Sequence, residues 1–222
     1  VLTLHRAALV LPDPADPTAP SHLDGAVLVR DGLIEAVGPY AELAAAQPTA
    51  RVRDWGDALL TPGLRHPDGH RLLERAYHPD PREELGDAPV PDGLVGEADE
   101  ARCGASARRG LQRMLGFGVT AVAGPFERAS VRMAVARSGL VALPGAGSPG
   151  AAGAGSPGPA GLPGAVWSLD PLVGLPFVEA VHGRLTVGGR ADFAVFAPGA
   201  DGPRAGGCRA AVLGGRLVFR RR

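Results

Sequence analysis

The sequence predicts an α/β protein, and three observations carry that expectation. Residues 1–64 read as strands and turns, residues 97–143 alternate helix, strand, helix, strand, and the chain closes on two further strands. An alternating order of this kind indicates a parallel sheet with helices packed on it. The 222 residues fit one ordinary domain or two small ones.

The first strand is predicted over Val1–Val10, followed by a Pro/Asp-rich loop, Leu11–Pro20. Ala26–Arg30 and Leu33–Val37 flank Asp31-Gly32, the dipeptide of a two-residue type I′ hairpin. Gly38-Pro39 stops the second strand, and Ala41–Ala46 reads as a short helix. Arg51–Trp55 alternates polar and apolar residues as a half-buried strand does, and Asp57–Leu60 is a short strand before Thr61-Pro62-Gly63.

Residues 66–96 read as a long polar loop with one short helix near Leu72–Tyr77. Glu97–Leu115 has a stronger helical signal: Glu97, Asp99 and Glu100 load its start, and Arg108, Arg109 and Arg113 its later turns, matching the macrodipole. Gly116-Phe117-Gly118 ends it, and Val119–Ala123 follows as a buried strand. Phe126–Ser138 is a second helix closed by Gly139, and Leu140–Leu143 the next strand. Residues 144–164 contain 8 Gly among 21 and read as a flexible or polyproline-type linker. Leu169–Val181 reads as a helix with Asp170 capping its start and Pro171 in its first turn. Ala191–Phe196 and Ala210–Phe219 are the last strands, the second turning at Gly214-Gly215.

Composition narrows the chemistry. All 23 basic residues are Arg and balance 23 acidic ones, so no net field draws the chain to nucleic acid or an anionic membrane. The absence of Lys removes Schiff-base, carbamylated-lysine and P-loop chemistry. Cys103 and Cys208 are isolated and read as reduced, partly buried thiols. No apolar run approaches the roughly 20 residues that span a bilayer. His5 and Arg6 interrupt the apolar start with no cleavage site after them, which predicts a cytoplasmic protein.

Two segments resemble a known family. Val27–Gly38 followed by Leu60-Thr61-Pro62-Gly63-Leu64 resembles the N-terminal flank of the amidohydrolase superfamily. Gly183–Phe196 and Val212–Val218 resemble its C-terminal flank, and Arg108–Thr120 resembles the helix and second barrel strand of its imidazolonepropionase-like branch. The resemblance implies a discontinuous composite β-sandwich from residues 1–64 and 183–222. Between them it implies an incomplete TIM-barrel-like α/β insert, residues 65–182. A full barrel takes about 250 residues, whereas Arg65–His182 is 118 residues, 21 of them linker.

In that superfamily the Thr-Pro-Gly-Leu stretch leads into a strand-borne His-x-His pair that holds a catalytic divalent metal. In register, Asp68 takes the first position and His70 the second, with His66 or His78 as further ligands. On a strand, Asp68 and His70 would share a face, but Pro67 and Gly69 make Arg65–His70 a better loop than strand. Glu127 and Asp170 are the candidates for a catalytic carboxylate. His5 and His22 have no partner in sequence, His182 stands just before the returning flank, and Asp192 matches a structural Ala-Asp pair of the family.

Three functions compete. The favoured one is a degenerate amidohydrolase that has lost its metal site and half the barrel and keeps a binding or structural role. It needs no cofactor, takes an unidentified small-molecule ligand, and forms a homodimer to cover the open half barrel. The alternative is a zinc-, iron- or manganese-dependent hydrolase of cyclic amides or imidazolones with a reduced site. The third is an acidic-partner or nucleic-acid module through Arg108, Arg109, Arg113 and Arg220–Arg222; the balanced charge disfavours it, and neither nucleic acid nor membrane is expected as a partner.

Overall fold

A computed structural model describes residues 1–145, 167–199 and 202–221. The expected linker 144–164 lies outside these residues apart from Pro144 and Gly145, and so does Arg222.

Strand β1 (Leu2–Val10) organises the larger sheet. It pairs antiparallel with β2 (His22–Arg30) from Leu2↔Arg30 to Val10↔His22. On its other side it pairs parallel with β4 (Arg51–Asp54) over Thr3–Arg6, and with β5 (Leu59–Pro62) at Leu9 and Val10. The β2–β3 hairpin (β3, Leu33–Pro39) turns at Asp31 and Gly32, both with positive φ, 50° and 88°, which is the backbone a type I′ turn demands. Helix α1 (Tyr40–Ala46) then covers Leu4, Ala26 and Leu28 with Tyr40, Leu43 and Ala44.

The C-terminal residues complete the same sheet. β9 (Phe193–Phe196) pairs antiparallel with β5, β10 (Cys208–Leu213) with β9, and β11 (Arg216–Arg220) with β10. Eight strands result, in the order β11-β10-β9-β5-β1-β2-β3 with β4 beside β1. Val27, Val29 and Ile34 near one end share a single core with Phe193, Val195, Ala210 and Val212 near the other. The sheet therefore folds over on itself. Burying this alternate set of apolar side chains is its main driving force.

The second sheet is parallel and three-stranded: β6 (Leu64–His66), β7 (Val119–Ala123) and β8 (Val141–Leu143), in that order. Between β6 and β7 lie α2 (Gly69–Glu74) and α3 (Glu100–Leu115); α4 (Ala129–Ser138) joins β7 to β8. In α3, Cys103, Ala107, Leu111 and Met114 recur at helical spacing and are buried, and the Asp99 side chain accepts from the Ala101 amide at 2.9 Å. The free amides of Arg128 and Ser130 at the start of α4 donate to Glu74 and Glu100, so α4 begins at Ala129 rather than Phe126. Leu64, Val119 and Val122 share one core with Ala194, Phe196 and Cys208, which joins the two sheets.

Three further elements differ from the sequence expectation. Leu64–His66 is a strand, because pairing with β7 (Leu64↔Val119, His66↔Val122) outweighs the turn signal that begins only at Pro67. The short helix sits at Gly69–Glu74, three residues earlier than Leu72–Tyr77, since Tyr77 is drawn into an isolated bridge with Val90. Leu169–Val181 is not one helix. It is a 3-10 turn, Pro171–Val173, and a single turn of helix, α5 (Phe177–Ala180), split where Gly174 and Pro176 interrupt the amide ladder.

Candidate functional site

The site centres on the C-terminal end of β6. His66 is the last residue of that strand and is 5% exposed. Its Nδ1 accepts from the Asp68 amide at 3.3 Å and its Nε2 faces the Ser168 carbonyl at 2.9 Å. These contacts fix one tautomer, with the proton on Nε2 donated to Ser168. Burial pulls the imidazole below its usual pKa, so it is neutral.

Asp68 and His70 lie beyond the strand, not on it. Asp68 precedes the first turn of α2, and its carboxylate pairs with Arg71 at 3.1 Å. His70 is exposed in the first turn of α2. A strand would have put both on one face; the turn at Pro67 separates them. His78 is fully buried between α2 and α3: its Nε2 bonds the Leu72 carbonyl at 2.8 Å, its amide donates to Ser106 Oγ at 2.9 Å, and Arg109 Nε donates to its carbonyl at 2.7 Å. Burial lowers its pKa to about 4.

The two carboxylate candidates have different settings. Asp170 is 5% exposed and accepts from the Leu172 amide at 3.0 Å and the Gly206 amide at 2.6 Å, tying the 167–173 segment to the loop before β10. Burial raises its pKa although both amides oppose the shift. Glu127 is exposed beyond β7, and its carbonyl accepts from Arg132. His182, whose amide donates to the Gly63 carbonyl at 2.8 Å, and Asp192, whose carboxylate caps the Gly214 amide at 2.7 Å, lie on the large-sheet side.

Whether these residues suit a divalent metal is decided by their donor atoms. Tetrahedral zinc needs about three protein donors converging at about 2 Å. Among the described residues no group of three His, Cys, Asp or Glu side chains converges in that way. His66 has both nitrogens committed to the backbone, and the Asp68 carboxylate faces a guanidinium. The arrangement of these residues does not fit the metal.

Beside this cluster opens a groove of about 860 Å³ that the sequence did not reveal. Phe117, Trp167 and Phe219 form apolar walls, and Arg109, Gln112 and Arg113 of α3 form a polar side. Arg109 and Arg113, candidates for an acidic-partner or nucleic-acid surface, are engaged within the chain with the His78 and Pro79 carbonyls, Asp80 and Asp87. The size lies in the range of small-molecule sites. Its wall residues are more than 40 positions apart in sequence, so no local pattern could have found it.

Residues 25–50, covering most of β2, β3 and α1, match the family described as the imidazolonepropionase-like composite domain of bacteria. An imidazolonepropionase of Pyrobaculum arsenaticum is 40% identical over 70 residues, 28% of this chain and 18% of that protein. A 5-methylthioadenosine/S-adenosylhomocysteine deaminase of Nitratidesulfovibrio vulgaris is 44% identical over 50 residues, 22% of this chain and 11% of that protein. A guanine deaminase structure from Bradyrhizobium japonicum covers 64% of this chain and 34% of its own, with 21% identity and a TM-score of 0.46. Over these segments the chain is similar to the imidazolonepropionase-like composite domain, and it spans less than a fifth of either curated relative. Among the described residues, no helix is long and apolar enough to cross a membrane.

Proposed function

We propose that this chain is an imidazolonepropionase-like, amidohydrolase-derived protein in which the metal site and half the barrel are lost and a binding or structural role remains. The composite β-sandwich of residues 1–64 and 183–222 is then the retained scaffold, and residues 65–182 a barrel remnant of three β/α steps. The observation that carries the reading is His66. Two residues before the position where the lineage would begin its metal site, this imidazole is locked by two backbone contacts, and Asp68 and His70, which take the pair's own positions, diverge. The groove beside α3 offers the remaining binding role a surface, suited to a small ligand with an apolar body.

The outer edge of β8 pairs with no strand among the described residues. A homodimer covering that edge belongs to the proposal, and sedimentation that finds only monomer at high concentration removes this part of it. Buried, reduced Cys103 and Cys208 suit a cytoplasmic setting.

A second reading is favoured by the local identity to an imidazolonepropionase: a metal-dependent hydrolase of non-peptide C–N bonds, acting on cyclic amides or imidazolones. Asp68, His70 and His66 would then bind the metal, with Asp170 or Glu127 as base. Assays of such substrates with added zinc, manganese or iron separate the two readings. The proposal expects no turnover above the buffer rate. Turnover that disappears in Asp68→Ala or His70→Ala establishes the hydrolase instead.

A further inference from the structure

A second cleft, sharing Arg221 with the groove beside α3, is lined by residues at the ends of β4 and β11. It encloses about 300 Å³ and is lined by Asp54, Trp55, Arg209, Arg220 and Arg221. The guanidinium carbons of Arg53 and Arg220 each stand 5.9 Å from the centre of the Trp55 ring. Five arginines (Arg51, Arg53, Arg209, Arg220 and Arg221) belong to this corner of the fold, against two acids. Both acids are engaged: Asp54 bonds Arg6 at 3.2 Å and the Gly56 amide at 2.8 Å, and Asp57 bonds Arg209 at 2.5 Å. Among the described residues, no carboxylate is within ion-pair reach of Arg51, Arg53, Arg220 or Arg221. Arg221 spends one donor on the Gly206 carbonyl. The indole Nε1 of Trp55 is enclosed and has no acceptor.

From this arrangement we propose that the β4–β11 cleft binds a phosphate-type dianion, free or as the phosphomonoester of a small molecule, through Arg53, Arg220 and Arg221 beside Trp55. The fold holds Arg53, Arg220 and Arg221 together here with no carboxylate paired to them among the described residues, its two nearby acids being taken by Arg6 and Arg209. Consistently, the Arg53 guanidinium is pushed below its usual pKa, first by burial and then by Arg51 and Arg220. Several planar forks around one small cleft match the oxygens of a tetrahedral dianion better than a single carboxylate. The cleft is large enough for phosphate with a short organic group and much smaller than the groove beside α3.

The test uses the full chain carrying Trp167→Phe, which leaves Trp55 as its one indole. Inorganic phosphate, then glycerol phosphate, is titrated at constant ionic strength against chloride, reading Trp55 emission and thermal midpoint. The proposal expects saturable change with both, a raised midpoint, and affinity at least about tenfold weaker in Arg220→Gln. Tighter binding of glycerol phosphate assigns the phosphomonoester; equal binding assigns the free ion. Arg221→Gln provides a second variant if Arg220→Gln alters the circular dichroism. Arg108→Gln, on exposed α3, should bind like the parent. A response equal to that of chloride, unchanged affinity in both cleft variants, or tighter binding of a single-stranded oligonucleotide than of either phosphate overturns it.

Discussion

His5→Leu is predicted to stabilise this protein, and increasingly so as the pH falls. His5 sits mid-way along β1, 1% exposed, with neither ring nitrogen bonded to any group. Its ring meets Phe193 edge-on at 4.9 Å and stacks by Trp55 at 6.1 Å. A buried polar atom without a partner costs about 1–3 kcal/mol; each lost aromatic contact costs about 0.5–1.5 kcal/mol. The two unpartnered nitrogens, about 2–6 kcal/mol together, outweigh the two ring contacts, about 1–3 kcal/mol together, so leucine should gain about 1 kcal/mol at pH 8.

Acid then enlarges the difference. Burial, with a smaller contribution from Arg53, lowers His5 from 6.5 to about 3. Between those values the unfolded chain binds a proton that the folded chain refuses, so parent stability falls as pH drops below 6.5. At pH 5 the loss from this one residue is about 2 kcal/mol, and it levels off only near pH 3. His78, lowered to about 4, adds a similar loss at pH 5. Asp170 and Asp192, raised by burial, oppose both, but they cancel in the difference between variant and parent. Urea unfolding of both proteins at pH 8, 6.5 and 5 gives that difference directly. A leucine variant less stable than the parent at pH 8, with a gap that does not grow by pH 5, refutes the reasoning.

Other consequences are local. Cys208, buried and pushed up to about 12, and Cys103, also buried and raised, should resist iodoacetamide at pH 8 until denaturant is added; mass spectrometry of the native protein reads this. Gly63 allows Thr120 to pack against its Cα, and a Cβ there would lie 2.1 Å from the threonine side chain. Gly63→Ala should therefore cost about 1–3 kcal/mol by overpacking, measured as a lower thermal midpoint. Asp99→Ala removes the cap on the Ala101 amide and should cost about 1 kcal/mol in denaturant unfolding, with the native circular dichroism little changed.

Features set by neighbours in sequence were legible there. Asp31-Gly32 carries its own turn geometry, and the acidic start and arginine-rich later turns mark α3. The parallel pairing of β7 with β8 also followed from alternation alone. What could not be read depended on distant partners. Leu64–His66 becomes a strand because β7, some 55 residues on, supplies its pairs. The state of His66 is set by Ser168, 102 positions away, and the groove by residues from four separate stretches. The helix forecast over Leu169–Val181 failed for a reason already in the sequence: Gly174 and Pro176 weigh more than the apolar periodicity around them.

The central claim, that the metal site of the lineage is lost, is tested most directly by elemental analysis of tag-free protein expressed with and without added zinc, after dialysis. The account predicts less than about a tenth of an equivalent of zinc, iron or manganese per chain. Retention of about one equivalent, lost in Asp68→Ala or His70→Ala, contradicts it.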